Sequence, residues 1–351
     1  MNEHYLELYN QLHKDKKSTQ SREKNSRVLI VDGTNTFIRC WSVIPTMNED
    51  GEHVGGVVGT LKSIGYAIKE VNPSRVVVVF DGSGGSNTRK KVFDGYKADR
   101  AKNKLRVNRQ YAELMTDEDE KESRKRQYVW LSYMLKELPV TTMIYDGVEA
   151  DDVMAYVGTQ LLSENEQAVY MSTDRDFLQL INDKDTVWSP TKKKLYNKEE
   201  VEKELGISAQ NILIYRVLDG DKSDNIPGIP GTGLKTLIAR FPELTQNELV
   251  TVDRLIELAE EKMKVSKVKL YKTIIESKEQ ILMNRELMQL KDPDFSGIIK
   301  MKIQNQFDEP LNRLNKVDFI KICTKYKVGN SFGNDLINWL NSTFATLVTD
   351  K

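Results

Sequence analysis

At 351 residues the chain can support one large core and a smaller lobe, because single cores stop growing near about 250–300 residues. Its 52 Lys and Arg balance 52 Asp and Glu, so net charge gives no global signal for nucleic acid and any attraction to phosphate must be local. Cys40 and Cys323 lie far apart and fit no metal pattern, no apolar run approaches a spanning helix, and Met1 to Lys24 lacks an apolar signal core. A reduced cytoplasmic protein without membrane association is therefore expected.

Residues 1–24 read as a polar lead-in. Within them Tyr5, Leu6, Leu8, Tyr9 and Leu12 could form an apolar helical stripe, docking on the chain's own domain or on a partner. Arg27 to Val31 is a compact apolar run ending at Asp32-Gly33, and Arg75 to Phe80 repeats the pattern before Asp81-Gly82. Uninterrupted β-branched runs suit parallel strands covered on both faces. Val57 to Val71 has helical spacing between them, which makes a β-α-β unit. Thr141 to Tyr145, Ala168 to Met171 and Thr186 to Trp188 add short strands, with a helix expected over about 150–162. The fold class is thus α/β, with a mostly parallel central sheet and flanking helices.

Arg89 to Arg109 differs in character, carrying nine Lys or Arg residues against Asp94 and Asp99. An acidic stretch and a helical pattern through Tyr128, Leu131, Leu135 and Leu138 follow. The whole insertion, about 89–135, is expected to form a projecting basic cover over the sheet edge rather than a core element. From Asn211 the chain reads as helical, with Ile212 to Leu218, Leu234 to Phe241 and Leu255 to Leu282 as the clearest patterns. The organisation expected is a polar lead at 1–24, a core at 25–210, a duplex-binding helical region at 211–280 and a mostly helical remainder at 281–351.

Ligands of open α/β sheets sit beyond the carboxyl ends of the strands, and there the acids collect. Asp32 and Asp81 end successive strands. Glu149, Asp151 and Asp152 open the next helix, where caps and dipole partners are also expected. Asp174 and Asp176 follow another strand, and Asp221 and Asp224 precede a glycine-rich hairpin. Nine acids at one rim would repel one another strongly without cations. Hard oxygen ligands without a Cys or His set favour Mg2+, with Mn2+ able to substitute, over zinc. The three histidines, His4, His13 and His53, offer no imidazole-centred mechanism. Two ions about 4 Å apart would activate water and stabilise the departing oxygen in phosphodiester hydrolysis. Lys97 and Arg100 could neutralise the scissile phosphate from the cover, or simply solvate a helix.

In Gly228-Ile229-Pro230-Gly231-Thr232-Gly233 the glycines would let backbone amides approach a phosphate, helped by the amino end of the following helix and by Lys235. Such a hairpin reads duplex backbone without strong sequence preference. It lacks the spacing of a Walker loop and the preceding strand of a dinucleotide fingerprint.

These elements, with Tyr96-Lys97-Ala98-Asp99-Arg100 and Ser172-Thr173-Asp174-Arg175-Asp176, occur in an order that closely resembles the 5′-nuclease family of flap endonucleases, phage primer-removing exonucleases and polymerase nuclease domains. The resemblance covers about residues 27 to 240. It implies a first metal site of Asp32, Asp81, Glu149, Asp151 and Asp152, and a second of Asp174, Asp176, Asp221 and Asp224. It also implies Arg89, Lys97 and Arg100 near the cleaved phosphate, Tyr96 stacking near the unpaired strand, a helical arch, and a helix-hairpin-helix lobe at Gly228, Gly231, Gly233 and Lys235 that can use K+. Arg175 stands where lysine is common, and Thr232 where an apolar residue is common. The implied activity is 5′-to-3′ exonuclease and flap cleavage, with ribonuclease H activity, in primer removal during DNA replication. Implied partners are branched or nicked duplex DNA and RNA–DNA hybrids, a replication clamp and a single-strand DNA-binding protein. A monomer is expected, in the host cytoplasm if phage-encoded. A non-catalytic structure-specific binder and a single-strand ribonuclease are the competing readings.

Overall fold

The computed structural model describes residues 27–101, 107, 115–333 and 335–347. The apolar stripe expected between Tyr5 and Leu12 lies outside them. Six strands form one sheet: β1 (Arg27–Asp32), β2 (Arg75–Asp81), β3 (Thr141–Tyr145), β4 (Gln167–Met171), β5 (Thr186–Ser189) and β6 (Lys194–Tyr196), in the order β3-β2-β1-β4-β5-β6. All neighbours pair in parallel except β5 and β6. The register sets Asp32 opposite Val79, Val31 opposite Met171, and Asp81 opposite Tyr145, so the carboxyl ends of β1, β2, β3 and β4 share one rim.

Alternation along the strands divides the core in two. Leu29, Val31, Val76 and Val78 face one layer, built from α2 (Gly55–Val71), α4 (Asp117–Lys136) and the carboxyl-terminal helices α13 (Lys316–Lys325) and α14 (Leu336–Phe344). Preceding these in the chain are α1 (Gly33–Val43), which also packs here, and α3 (Asn87–Val92), a short helix with no buried residue. Val28, Ile30, Val77 and Val79 face the other layer, with α5 (Ala150–Tyr156) and α12 (Gly297–Asp308). The described residues from 281 onward are therefore divided between the helical lobe and both faces of the sheet. A third core joins α7 (Ile212–Asp219), α8 (Leu234–Arg240), α9 (Val252–Val265), α10 (Lys269–Glu276) and α11 (Lys278–Met288). Between them, α6 (Lys198–Leu205) follows β6.

One sequence expectation needs correction. The stretch 117–135 is not part of a projecting cover: Trp130, Leu131, Met134 and Leu135 of α4 are buried in the core, because one helical face gathers its apolar residues while its charges face out. A capping box at Thr116 and Asp119 fixes where this helix starts. The helical pattern over Leu255 to Leu282 falls on three helices, α9, α10 and α11, separated at 266–268 and at Ser277. At the end of β1, α1 starts directly at Gly33; a Cβ there would lie 2.7 Å from the Phe80 ring and 2.8 Å from Val79 O, so glycine permits the tight exit from the strand.

Candidate metal centre and nucleic-acid interface

Asp32 is both the last residue of β1 and the cap of α1. Its Oδ1 accepts from Asn35 N–H at 2.9 Å and its Oδ2 from the Ser172 hydroxyl at 3.0 Å, which ties the ends of β1 and β4 together. Burial pushes this carboxyl up to about 7 against the pull of the Asn35 amide, and the charges of Asp81 and Asp174 add to the rise. Asp81, at the exposed end of β2, accepts from Ala150 N–H at 2.9 Å and so fastens the amino end of α5 to the same rim. Asp151, in the first turn of α5, is pushed well above the usual carboxylate range by burial and by the charges of Asp32 and Asp174.

Asp174 follows β4 and accepts from Asp176 N–H at 2.8 Å. Burial raises it, and Asp221 and Asp224 raise it further. Asp176 is pushed up to about 7 by burial and by Asp174, although Arg216 opposes the shift. Asp221 lies below the usual range: burial would raise it, but the Ser223 hydroxyl at 2.6 Å and the Arg216 guanidinium outweigh that. Thus Asp32, Asp81, Asp151, Asp174, Asp176, Asp221 and Asp224 act on one another in an unbroken series along the rim.

Glu149 and Asp152 are drawn toward the basic segment instead. Arg89 contacts Glu149 at 2.5 Å and grips both oxygens of Asp152 at 2.6 and 2.7 Å. Lys97 Nζ contacts Glu149 at 2.5 Å and lies 3.9 Å from Asp224. Burial would raise Glu149, yet Lys97 and Arg89 hold it below the ordinary value. The expectation that Tyr96 presents a stacking face is not met: its ring is 3% exposed, packed with Ile226, Leu287 and Met288, while its hydroxyl donates to Glu149 at 2.9 Å. Lys97 N–H donates to Asp224 O, and Asn225 Nδ2 to Gly95 O, both at 2.9 Å, so the start of the basic segment is fastened to the turn carrying Asp221 and Asp224. The side chain of Arg100 lies outside the described residues.

Arg216 escaped the sequence reading. It is 8% exposed on α7, with Nε 2.7 Å from Asp176 and Nη2 2.7 Å from Asp221. Its signal was available: one charged residue inside the apolar run Ile212 to Leu218, a position that demands a partner.

The hairpin after α7 is held from inside. A Cβ at Gly228 would meet Asp219 O at 2.2 Å, and the buried Thr232 hydroxyl shares its one proton between Leu218 O and Ile229 O, at 2.9 and 2.5 Å. Asn284 Nδ2 bonds Val217 O and Pro227 O at 2.9 and 2.8 Å. Gly231 has φ +87°. Gly233 and Lys235 are exposed, and a Cβ at Gly233 would meet nothing within 4 Å. This surface leaves room for a backbone to approach.

The donor set fits a hard divalent cation: all oxygen, with four carboxyls raised first by burial and then by one another's charge. Among the described residues, no three His, Cys, Asp or Glu side chains already enclose a single ion point; Arg89, Lys97 and Arg216 balance part of the acid charge. Fold and rim define an α/β domain that gathers carboxylates at the carboxyl ends of its parallel strands.

Residues 27–206, a little over half of the chain, match the family model for the 5′-3′ exonuclease, N-terminal resolvase-like domain. A 5′-3′ exonuclease of Buchnera aphidicola (strain Sg) is 29% identical over 217 residues, spanning 61% of this chain and 69% of that protein. DNA polymerase I of Thermus thermophilus is 30% identical over 282 residues, 79% of this chain but 32% of the polymerase. Among solved structures, T5 5′-exonuclease with bound zinc ions superposes with TM-score 0.57 at 22% identity, covering 84% of this chain and 99% of that one. The chain belongs to the 5′-3′ exonuclease family.

Proposed function

We propose that the protein is a divalent-metal-dependent 5′-nuclease that hydrolyses phosphodiesters 5′ to 3′ in branched, flapped or nicked duplex DNA. RNA–DNA hybrids are proposed substrates too, which suits primer removal in replication. The observation that carries this reading is the rim of mutually repelling carboxylates at the ends of β1, β2 and β4, beside a glycine hairpin open to a backbone. Support also comes from the family match and from a T5 flap endonuclease whose solved complex contains DNA and metal ions.

Asp32, Asp81, Asp151, Glu149 and Asp152 would hold one Mg2+, and Asp174, Asp176, Asp221 and Asp224 a second, with Mn2+ able to substitute. Bound there, the ions would supply Lewis acidity and a lowered water pKa. Asp81 and Asp32 orient the rim through their bonds to Ala150, Asn35 and Ser172. Lys97 and Arg89, poised against Glu149 and Asp152, would exchange those carboxylates for the oxygens of the scissile phosphate; Arg100 would join them. Residues 211–280 would act as a helix-hairpin-helix lobe, with Gly228, Gly231, Gly233 and Lys235 along the duplex backbone and K+ at the hairpin. The basic stretch from 89 onward would form the arch through which the 5′ strand passes. A monomer is proposed, working beside a replication clamp and a single-strand DNA-binding protein.

The test is to incubate end-labelled nicked duplex, 5′-flap, single-strand and RNA–DNA substrates with Mg2+ and map the products. Short 5′ products from flap and nicked duplex are expected. Binding without cleavage in Mg2+ and Mn2+ would leave a structure-specific binder, and cleavage confined to single-stranded RNA would leave a ribonuclease.

A further inference from the structure

At the amino ends of the strands, opposite the acid rim, lies a cavity of about 150 Å3. Arg27, Gln167 and Thr186, which open β1, β4 and β5, line it together with Val71 at the end of α2, Trp188 and Leu195. Trp188 and Leu195 are cross-strand partners in β5 and β6, so they share a face of the sheet. The other face of these two strands is covered, with Val187 and Tyr196 packing in one core with Val201 of α6. On the cavity's side Leu195 stays 41% exposed, and Tyr66 of α2, 40% exposed, holds its ring 6.1 Å from that of Trp188. Apolar surface therefore continues outward from the cavity along the sheet edge. Thr186 and Trp188 also carry buried polar atoms, Oγ1 and Nε1, that have no hydrogen-bond partner among the described residues. Buried polar groups are rarely left unpaired, so an occupant that both covers apolar surface and offers a hydrogen-bonding group suits this place.

The described chain begins at Arg27, in the wall of this cavity. Residues 13–26 can span at most about 50 Å, since an extended chain covers about 3.6 Å per residue, and the stripe of Tyr5, Leu6, Leu8, Tyr9 and Leu12 is thus within reach of the groove. A tether of that length holds the stripe at an effective concentration near the millimolar range, which favours docking within one chain over docking on a second copy in dilute solution. Its composition matches the surface: the leucines suit Leu195 and Tyr66, and a tyrosine hydroxyl can accept from Trp188 Nε1 and bond Thr186 Oγ1, which an aliphatic occupant would leave orphaned.

We propose that residues 5–12 dock on this groove of their own chain, a tyrosine filling the cavity and the leucines covering Leu195 and Tyr66. The docking is independent of the nuclease reading, because groove and acid rim stand at opposite ends of the strands.

The experiment uses the full chain and hydrogen exchange read by mass spectrometry. Residues 5–12 are too few to hold a helix on their own, so protection there reports a tertiary contact. Leu195→Asp is read at residues 5–12 and Leu8→Asp/Leu12→Asp at residues 186–196, so each variant is judged on a segment it does not alter. Thermal melts confirm that both are folded. Wild type is expected to exchange at residues 5–12 at least about tenfold more slowly than a free peptide of that sequence, Leu195→Asp to abolish that protection, and the stripe variant to speed exchange across 186–196. Absent wild-type protection, protection that folded Leu195→Asp keeps, or exchange at 186–196 that the stripe variant leaves unchanged overturns the docking. Protection that disappears on dilution together with a dimer in sedimentation also overturns it and gives the groove to a second copy. A wild type that shows the docking but cuts no flap substrate would refute the nuclease reading and leave the docking standing.

Discussion

Replacing Arg216 with Met isolates the electrostatics of the rim, because methionine keeps an unbranched apolar stem while removing the charge between Asp176 and Asp221. Breaking a buried ion pair from one side costs about 3–5 kcal/mol. Here the two carboxylates retain 19% and 16% side-chain exposure, so solvent screening brings the cost just below that range, to roughly 2–3 kcal/mol. A divalent ion on the same carboxylates would replace the lost positive charge. Saturating ion stabilises wild type as well, so the loss is reversed only as far as the variant, free of the competing cation, binds the ion more tightly; about a hundredfold tighter Kd in the variant returns about 2.7 kcal/mol. Urea unfolding in EDTA and in saturating Mg2+ measures both quantities. The expected result is a large loss of stability in EDTA that Mg2+ mostly reverses. Equal losses under the two conditions would refute the reasoning, since Arg216 would then contribute packing and hydrogen bonds unrelated to a cation site.

Asp81→Ala and Asp174→Ala should each reduce cleavage by at least about a hundredfold while the thermal midpoint stays near wild type, since both remove a proposed metal ligand from a partly solvated rim; near-normal turnover in Mg2+ would defeat the assignment. The metal-free protein should become less stable as pH rises from about 4 to about 7, because Asp32 and Asp176 keep protons up to about 7 in the folded state but release them near 4 when unfolded. Glu149 and Asp221 act with the opposite sign below about 4.5, where their depressed values make acid destabilising. Asp32→Asn should flatten the upper limb in denaturant titrations across pH, and a slope left unchanged would remove Asp32 as its source. In the hairpin, Gly228→Ala should cost about 1–3 kcal/mol by overpacking against Asp219 O, whereas Gly233→Ala should leave stability nearly unchanged and weaken duplex binding alone; urea melts and filter binding on duplex and single strands separate the two.

The sequence alone carried the sheet and most of its rim. Apolar β-branched runs at Arg27 to Val31 and Arg75 to Phe80 cannot be satisfied except as covered parallel strands, and an Asp at the end of each is then carried to a common edge. That inference needs only local pattern and the rule for open sheets. It misjudged the stretch after Asp117, where charge density hid the one buried face of α4, and the stacking role that the family resemblance implied for Tyr96 took no account of what lay against its ring.

What the tertiary structure decided is which charges meet. Arg216 and Asp176 are 40 residues apart, and Lys97 and Glu149 are 52 apart, so no spacing rule could pair them. Nor could sequence tell which acids would be raised by burial and which held down by a neighbouring cation. Asp32 and Glu149 are both 4% exposed, yet one stands beside other carboxylates and the other beside Arg89 and Lys97, and that difference of neighbours pushes the first up and the second down. Residue type and strand position determine where a carboxylate can stand; its proton affinity is a property of the field around it, which exists only once the chain has folded.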